Sequence, residues 1–378
     1  MDKTKVKEYF QSLPKRYFIT AFSGMAQGLF VTLIAGTIFA QIASWIGDNA
    51  VGNVFSYIAN IAKSLMGAGI GVGVAHALKK HKLLVFSAAV AGMVGAFADK
   101  LLYGTVFGGM FPAVTAPFTM LVLGTAGNPI GAYVVTMLTV EIVELFAGKT
   151  KLDILLIPFA TLLLSFVGIF LAAPFIWFVD QLGRWIALAT QATPLIMGVV
   201  IAVAMGVLLT LPTSSAAVWI AIANPVLAVG SGVEYEAMLL AGGAATVGCA
   251  CHMVGFAVAS FKENGVAGLI SQGLGTSMLQ IPNVMKKPII MLPMVVSSAI
   301  LGPLSTCVFH LKCAAAGGGM GTSGLVGVFG LFDATHGWTG YVGIVLLMLV
   351  FPALINAVIA AFMRKKGVLK DGDMKLPD

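Results

Sequence analysis

Between Tyr103 and Gly131 the chain reads YGTVFGGMFPAVTAPFTMLVLGTAGNPIG, apolar enough for a bilayer yet too often interrupted by Gly and Pro to form one unbroken helix. Backbone that leaves the helix at membrane depth has to be buried in protein or line a watery cavity, because lipid offers no partner for a freed N–H or C=O. The apolar runs around Val106 and from Met120 to Leu123 are each short of the roughly 20 residues that a crossing needs. The stretch therefore reads as a re-entrant hairpin whose polar end, Thr125 to Pro129, reaches a solute site. A kinked span with a packed glycine face is the other reading.

The remainder of the chain belongs in the same solvent. Of 378 residues, 59% are hydrophobic and only 10% charged, and the mean hydropathy is +0.99. Soluble domains carry about 25% charged residues, so this is a polytopic, all-α membrane protein. The basic first residues lead into a long apolar segment without a small-residue cleavage site, so the N-terminus is expected to be retained. The net charge of +7 sits in loops and tails, where it reports topology and gives no indication of nucleic acid. Cys249, Cys251, Cys307 and Cys313 lack zinc-type spacing and read as reduced, structural thiols, and neither a metal nor a cofactor is expected.

Taken in order, the apolar segments suggest about ten transmembrane helices: Tyr17–Ile46, Val54–Leu78, Leu83–Ala98, Ile130–Ala147, Ile154–Val179, Leu195–Ala223, Met238–Phe261, Gly265–Ile281, Ile289–Phe309 and Trp338–Met363. With this count the clusters at Lys79–Lys82, Lys149–Lys151, Lys286–Lys287 and Arg364–Lys366 all return to the side of the basic N-terminus. Both termini are then cytoplasmic. Residues 1–16 form a cytoplasmic segment, 17–363 a single transmembrane domain with halves at about 17–180 and 194–363, and 364–378 a cytoplasmic tail. FSGMAQGLFVTLIAG from Phe22 is like IAVAMGVLLTLPTSS from Ile201, and GAGIGVGVAHAL from Gly67 is like GGAATVGCACHM from Gly242. Five crossings per half would make the repeat inverted, as in many secondary transporters.

Three stretches combine small residues with hydroxyls or amides: Thr125 to Pro129 with Asn128, Thr210 to Ser215 with Pro212, Thr213 and Ser214, and Gly317 to Gly324 with Thr322 and Ser323. Pro212 cannot donate an N–H and clashes with the turn before it, so the helix should break there and restart near Ser215. A restarted helix offers free N–H groups and hydroxyls to a polar solute. The hairpin end at Thr125–Pro129 and the break at Thr213–Ser215 are both expected to line the site. Ionisable residues inside apolar segments are functional candidates, and Glu141 and His76 are the two expected to hold solute hydroxyls or carry a proton. Glu141 has no basic partner in its own run, MLTVEIVELF, so its partner must come from another segment or from the solute. GAGIGVG at Gly67 lies in a membrane span without a preceding strand and is not a dinucleotide loop, and no Walker loop is present. No catalytic motif is found.

YGTVFGGM, LGTAGNPIGA, LPTSSAAV and AGGGMGTSGLVG, spread over roughly residues 15 to 365, resemble EIIC-like membrane proteins of the phosphotransferase system, a group in which some members carry the name toxin regulator. The resemblance implies a homodimeric, elevator-type carrier in the inner (plasma) membrane, with two re-entrant hairpins moving past a scaffold. It also implies separate EIIA and EIIB partners for any phosphoryl transfer, with a Glu and a His on the sugar. The chain departs from the better-known families in having no G-x-x-E-P-type loop and no fused EIIA or EIIB domain. The expected function is thus a permease for a small polar solute, a sugar or related organic acid. A membrane-embedded sensor of gene expression and an ion-coupled carrier without a phosphotransferase link are the alternatives.

Overall fold

The structure is a computed structural model that describes residues 13, 15–98, 101, 128–211 and 215–376. It is 83% helical, and with no strand among the described residues the all-α expectation holds. Among the described residues, five helices are long and apolar enough to cross a membrane, or six if one bent pair counts as a single span. The chain divides into two compact units, Met1–Gln181 and Leu182–Asp378. The hairpin expected at Tyr103–Gly131 lies almost wholly outside the described residues.

In the first unit α1 (Lys15–Ile46) is followed by α2 (Ala50–Ser64) and α3 (Met66–Ala77), which meet at a 51° bend. The second expected span is therefore broken at Leu65, beside Ser64, whose hydroxyl bonds back to the Ile61 carbonyl. The pair runs back along α1, so that Gly36 meets Ala59, Gly28 meets Gly69 and Gly24 meets Gly73. α3 packs in turn on α4 (Lys82–Ala96) through Gly71 and Ala88, and α4 on α5 (Pro129–Glu144) through Gly95 and Gly131. Lipid gives these helices no hydrophobic reason to associate, so close backbone approach at small residues does so instead. A Cβ on Gly28 would run into the Gly69 carbonyl, and one on Gly71 into that of Ala88. The GAGIGVG string is this packing strip.

α6 (Asp153–Ala192) is a single helix of 40 residues, about 60 Å long at 1.5 Å per residue. The sequence reading ended it near Val179. The helix instead runs through Pro158 and Pro174 and ends just before Pro194, where α-helical geometry is disfavoured for the preceding residue.

The second unit is built on α9 (Val233–Ala259), whose apolar window is 94% buried, against 28% for α6 and 33% for the last helix. α9 is thus enclosed by protein, whereas the other two present wide apolar faces outward. α7 (Pro194–Thr210) lies parallel to α9, with Ala202 against Gly248 and Gly206 against His252. The chain breaks after Thr210, as Pro212 predicted, and α8 (Ser215–Leu227) leads within a five-residue loop to the start of α9. The sixth expected crossing is therefore a re-entrant pair that enters and leaves at one end of the unit.

The eighth expected crossing is re-entrant as well, from the opposite end. It begins with α10 (Phe261–Ile270), kinked at Gly265 with φ of +59°, and passes irregularly to Lys286. Asn264 near its entry and Asn283 near its exit both bond the same tail, at the Met374 and Lys375 carbonyls. Gly273, Gly275 and the extended Thr276 interrupt any longer helix. α11 (Pro288–Val308), a short α12 (Ser323–Ala334) and α13 (Trp338–Lys365) complete the unit. α12 was not foreseen in the glycine-rich stretch.

The proposed internal repeat fails on direction. The matched strings lie on α1 and α3 in one unit and on α7 and α9 in the other, and the first pair is antiparallel while the second is parallel. Their likeness reflects shared glycine packing.

The tail folds back into a socket of amides. Met374 is fully buried; its N–H donates to Glu263 Oε2 at 2.8 Å, and its carbonyl accepts from Asn264 at 2.8 Å and Gln280 at 2.9 Å. Asp373 Oδ2 accepts from Lys287 Nζ at 2.5 Å and from the Lys370 N–H at 2.7 Å. Partial burial pushes the Asp373 carboxyl up, but these hydrogen bonds and lysine charges outweigh it and hold the group below its ordinary value.

Two expectations follow. Gly28→Ala should destabilise the detergent-solubilised protein by on the order of 1–3 kcal/mol, whereas Gly168→Ala, whose Cβ would sit 3.4 Å from Val135 Cγ1, should leave thermal unfolding by size exclusion nearly unchanged. Because the folded-state pKa of Asp373 is depressed, its contribution to tail docking is fully present above the unfolded carboxylate value and disappears as pH falls through the folded one. At neutral pH Asp373→Asn should release the tail by about 0.5–1 kcal/mol, read as two- to fivefold faster deuterium exchange over residues 366–376. Unchanged exchange in that variant would mean the carboxylate does not hold the tail.

Candidate functional site

The two re-entrant segments of the second unit meet at their tips. Thr210 Oγ1, at the end of α7, lies 2.8 Å from His252 Nδ1 on α9 and 3.0 Å from Ser277 Oγ in the segment after α10. All three side chains are fully buried. Thr210 has a single hydroxyl proton. If it goes to His252, Ser277 donates to Thr210 and the imidazole carries its proton on Nε2. If it goes to the Gly206 carbonyl, 3.3 Å away, His252 Nδ1–H donates to Thr210 and Nε2 is a bare acceptor. In either tautomer Nε2 is buried and has no hydrogen-bond partner among the described residues. Gly206 makes room for the ring, since a Cβ there would lie 2.5 Å from His252 Cδ2.

The glycine-rich stretch binds both tips together. Ser215 Oγ donates to the Gly319 carbonyl at 2.7 Å, Thr322 Oγ1 to that of Gly273 at 2.6 Å, and Ser323 Oγ to that of Gly275 at 2.8 Å. Gly318 passes against the indole of buried Trp219, and Gly321, with φ of +55°, lies against the backbone of Cys249 and Ala250. Two of the three predicted polar stretches, Thr210–Ser215 and Gly317–Gly324, thus come together. Thr213 and Ser214 lie outside the described residues.

The remaining candidates belong to the first unit. Asn128 and Pro129 open α5 in the first unit, where Asn128 Oδ1 caps the helix by accepting from the Gly131 N–H at 2.6 Å and Pro129 takes the first helical position. Thr125 lies outside the described residues. His76 is exposed in the last turn of α3. Glu141, near the end of α5, accepts on Oε1 from Arg16 at 2.7 Å and on Oε2 from Lys80 at 2.9 Å. Its partners do come from other segments. They are cations at the end of the unit, where they also offset the unfavourable placing of an anion at a helix C-terminus.

His252 and the Ser271–Ser277 stretch, SQGLGTS, were not among the expected site residues. Both carried a readable signal: an ionisable group in the middle of an apolar helix, and the same mixture of glycine and hydroxyls that marked the other three stretches.

Since the Lys80 side chain is only 3% exposed, Glu141→Gln should leave a buried ammonium short of its carboxylate. A loss of about 1.5–3 kcal/mol in stability is expected, measured by thermal unfolding, with solute affinity of the folded fraction unaltered. Weakened affinity at full stability would restore Glu141 to the solute site.

No curated protein and no solved structure matches the chain. The family model described as Phosphotransferase system, EIIC matches residues 19–376. Covering nearly the whole chain and agreeing with its long apolar helices, that match shows that this protein belongs to the EIIC family, the membrane permease components of the phosphotransferase system.

Proposed function

We propose that the chain carries a small polar solute, a sugar or related organic acid, across the inner membrane at the meeting point of the two re-entrant tips. The observation that carries this reading is the buried Thr210–His252–Ser277 cluster, in which His252 Nε2 has no hydrogen-bond partner among the described residues. Hydroxyls and imidazole each donate and accept, which suits a solute with several hydroxyls. A buried polar atom left without a partner costs about 1–3 kcal/mol, so a ligand group that bonds it recovers that cost.

The reading has a topology to go with it. With α7–α8 and the 261–286 segment re-entrant, eight crossings remain: α1, α2–α3, α4, α5, α6, α9, α11 and α13. Both termini then share the cytoplasmic side. The gathering of Arg16, Lys80 and His81 at one end of the first unit supports this, as does that of Lys287, Arg364 and Lys370 in the second. In an elevator-type homodimer the re-entrant tips would belong to the moving part. Phosphoryl transfer would fall to separate EIIA and EIIB proteins.

A ligand-stabilisation screen over sugars and small acids, followed by uptake into vesicles with and without the soluble phosphotransferase components, tests the proposal. A ligand at about 100 times its Kd should stabilise the protein by roughly 2.7 kcal/mol. His252→Leu should weaken binding of the identified solute about 10- to 100-fold, on the scale of one lost buried hydrogen bond, and Thr210→Val should weaken it in the same direction. Unchanged affinity in a folded His252→Leu variant would remove the solute from this cluster.

A further inference from the structure

Along the outer side of the second unit, the wall of the 261–286 segment and the face of α13 enclose two cavities, of about 450 Å³ and about 610 Å³. Val258 and Leu269 line both, so the two form one continuous groove. The first part is almost wholly apolar: Leu269, Ile270 and Leu274 face Val345, Leu349 and Ala353 across it. The second is narrowed by nothing larger than Ala357, Ala360 and Ala361 on the α13 side, and it ends at Lys262, Arg364 and Lys365. From Val345 to Lys365 the α13 wall extends for about 30 Å, the thickness of the hydrocarbon core.

We propose that this groove is a binding site for an anionic phospholipid, with an acyl chain against α13 and the headgroup phosphate at Lys262, Arg364 and Lys365. Each part of the occupant answers a feature of the groove. A long, open, apolar channel flanked by the exposed side chains of Ile270, Leu274 and Leu349 has lipid as its solvent. Its polar end holds three cations and no carboxylate. The nearby Glu263 is engaged by Arg364, whose Nη2 donates to Oε1 at 3.2 Å, and by the Met374 N–H, which donates to Oε2 at 2.8 Å, so Lys262 and Lys365 are the cations left to the groove. Arg364 Nε is buried without a hydrogen-bond partner, and Lys262 and Lys365 have no ion pair, among the described residues. Basic pockets beside helices at the cytoplasmic end are where anionic headgroups bind. A lipid here would bear on transport as well, because Gly273 and Leu274 in the groove wall are three or four residues from Ser277.

The test is lipid retention by the intact protein. Delipidated protein is reconstituted in nanodiscs of phosphatidylcholine and phosphatidylglycerol at a 3:1 ratio, re-extracted, and its bound lipid counted by native mass spectrometry. Wild type should retain phosphatidylglycerol well above its share of the bilayer. Lys262→Gln with Lys365→Gln should abolish most of that enrichment, about fivefold per lysine, and both positions are exposed, so folding is preserved. Ala357→Phe, which fills the channel, should reduce retention of both lipids. Retention of phosphatidylglycerol by wild type at no more than its one-quarter share of the bilayer would overturn the proposal, as would lysine variants that keep the enrichment. A change of oligomeric mass in Ala357→Phe with unchanged lipid would also overturn it, assigning the groove to a second copy of the chain.

Discussion

Every break in a helix at membrane depth leaves carbonyls without partners, and the second unit answers this with hydroxyls borrowed from other breaks. Gly319 is satisfied by Ser215, Gly273 by Thr322 and Gly275 by Ser323. No one of these irregular segments is stable at that depth alone. The re-entrant pair α7–α8, the 261–286 segment and the glycine-rich stretch therefore stand or fall together, and they enclose His252 as a consequence. A functional site placed here inherits its rigidity from bonds that the membrane itself makes compulsory.

How much of this was legible depends on what each segment contacts. Spans with uniform apolar faces, such as Lys15–Ile46, Pro288–Val308 and Trp338–Lys365, were placed within a few residues, because lipid selects for the composition that the sequence displays. The break at Leu211 was legible because Pro212 forces it. The 261–286 segment was misread as a crossing, since its residues are apolar enough to span and only their partners, Thr210 on one side and the tail on the other, make it turn back. The repeat failed for a related reason: glycine strings report a close helix contact and carry no direction.

Charge was read as topology in one place and too hopefully as chemistry in another. Glu141 found its partners in Arg16 and Lys80, cations that had been counted only as markers of the inner side. His252 shows the opposite error. It was not among the expected site residues, although a lone imidazole in a helix buried over 94% of its apolar window has few explanations outside a polar site.

The socket that receives the tail has a consequence for the order of synthesis. Asn264 is translated 110 residues ahead of Met374, an interval of about 5–20 s at ordinary elongation rates. Throughout that time the amides of Asn264, Gln280 and Asn283 lack the carbonyls that finally engage them. The segment carrying Ser277 is thus made before its clasp exists, so the nascent second unit spends its first seconds in a looser form than the one described here.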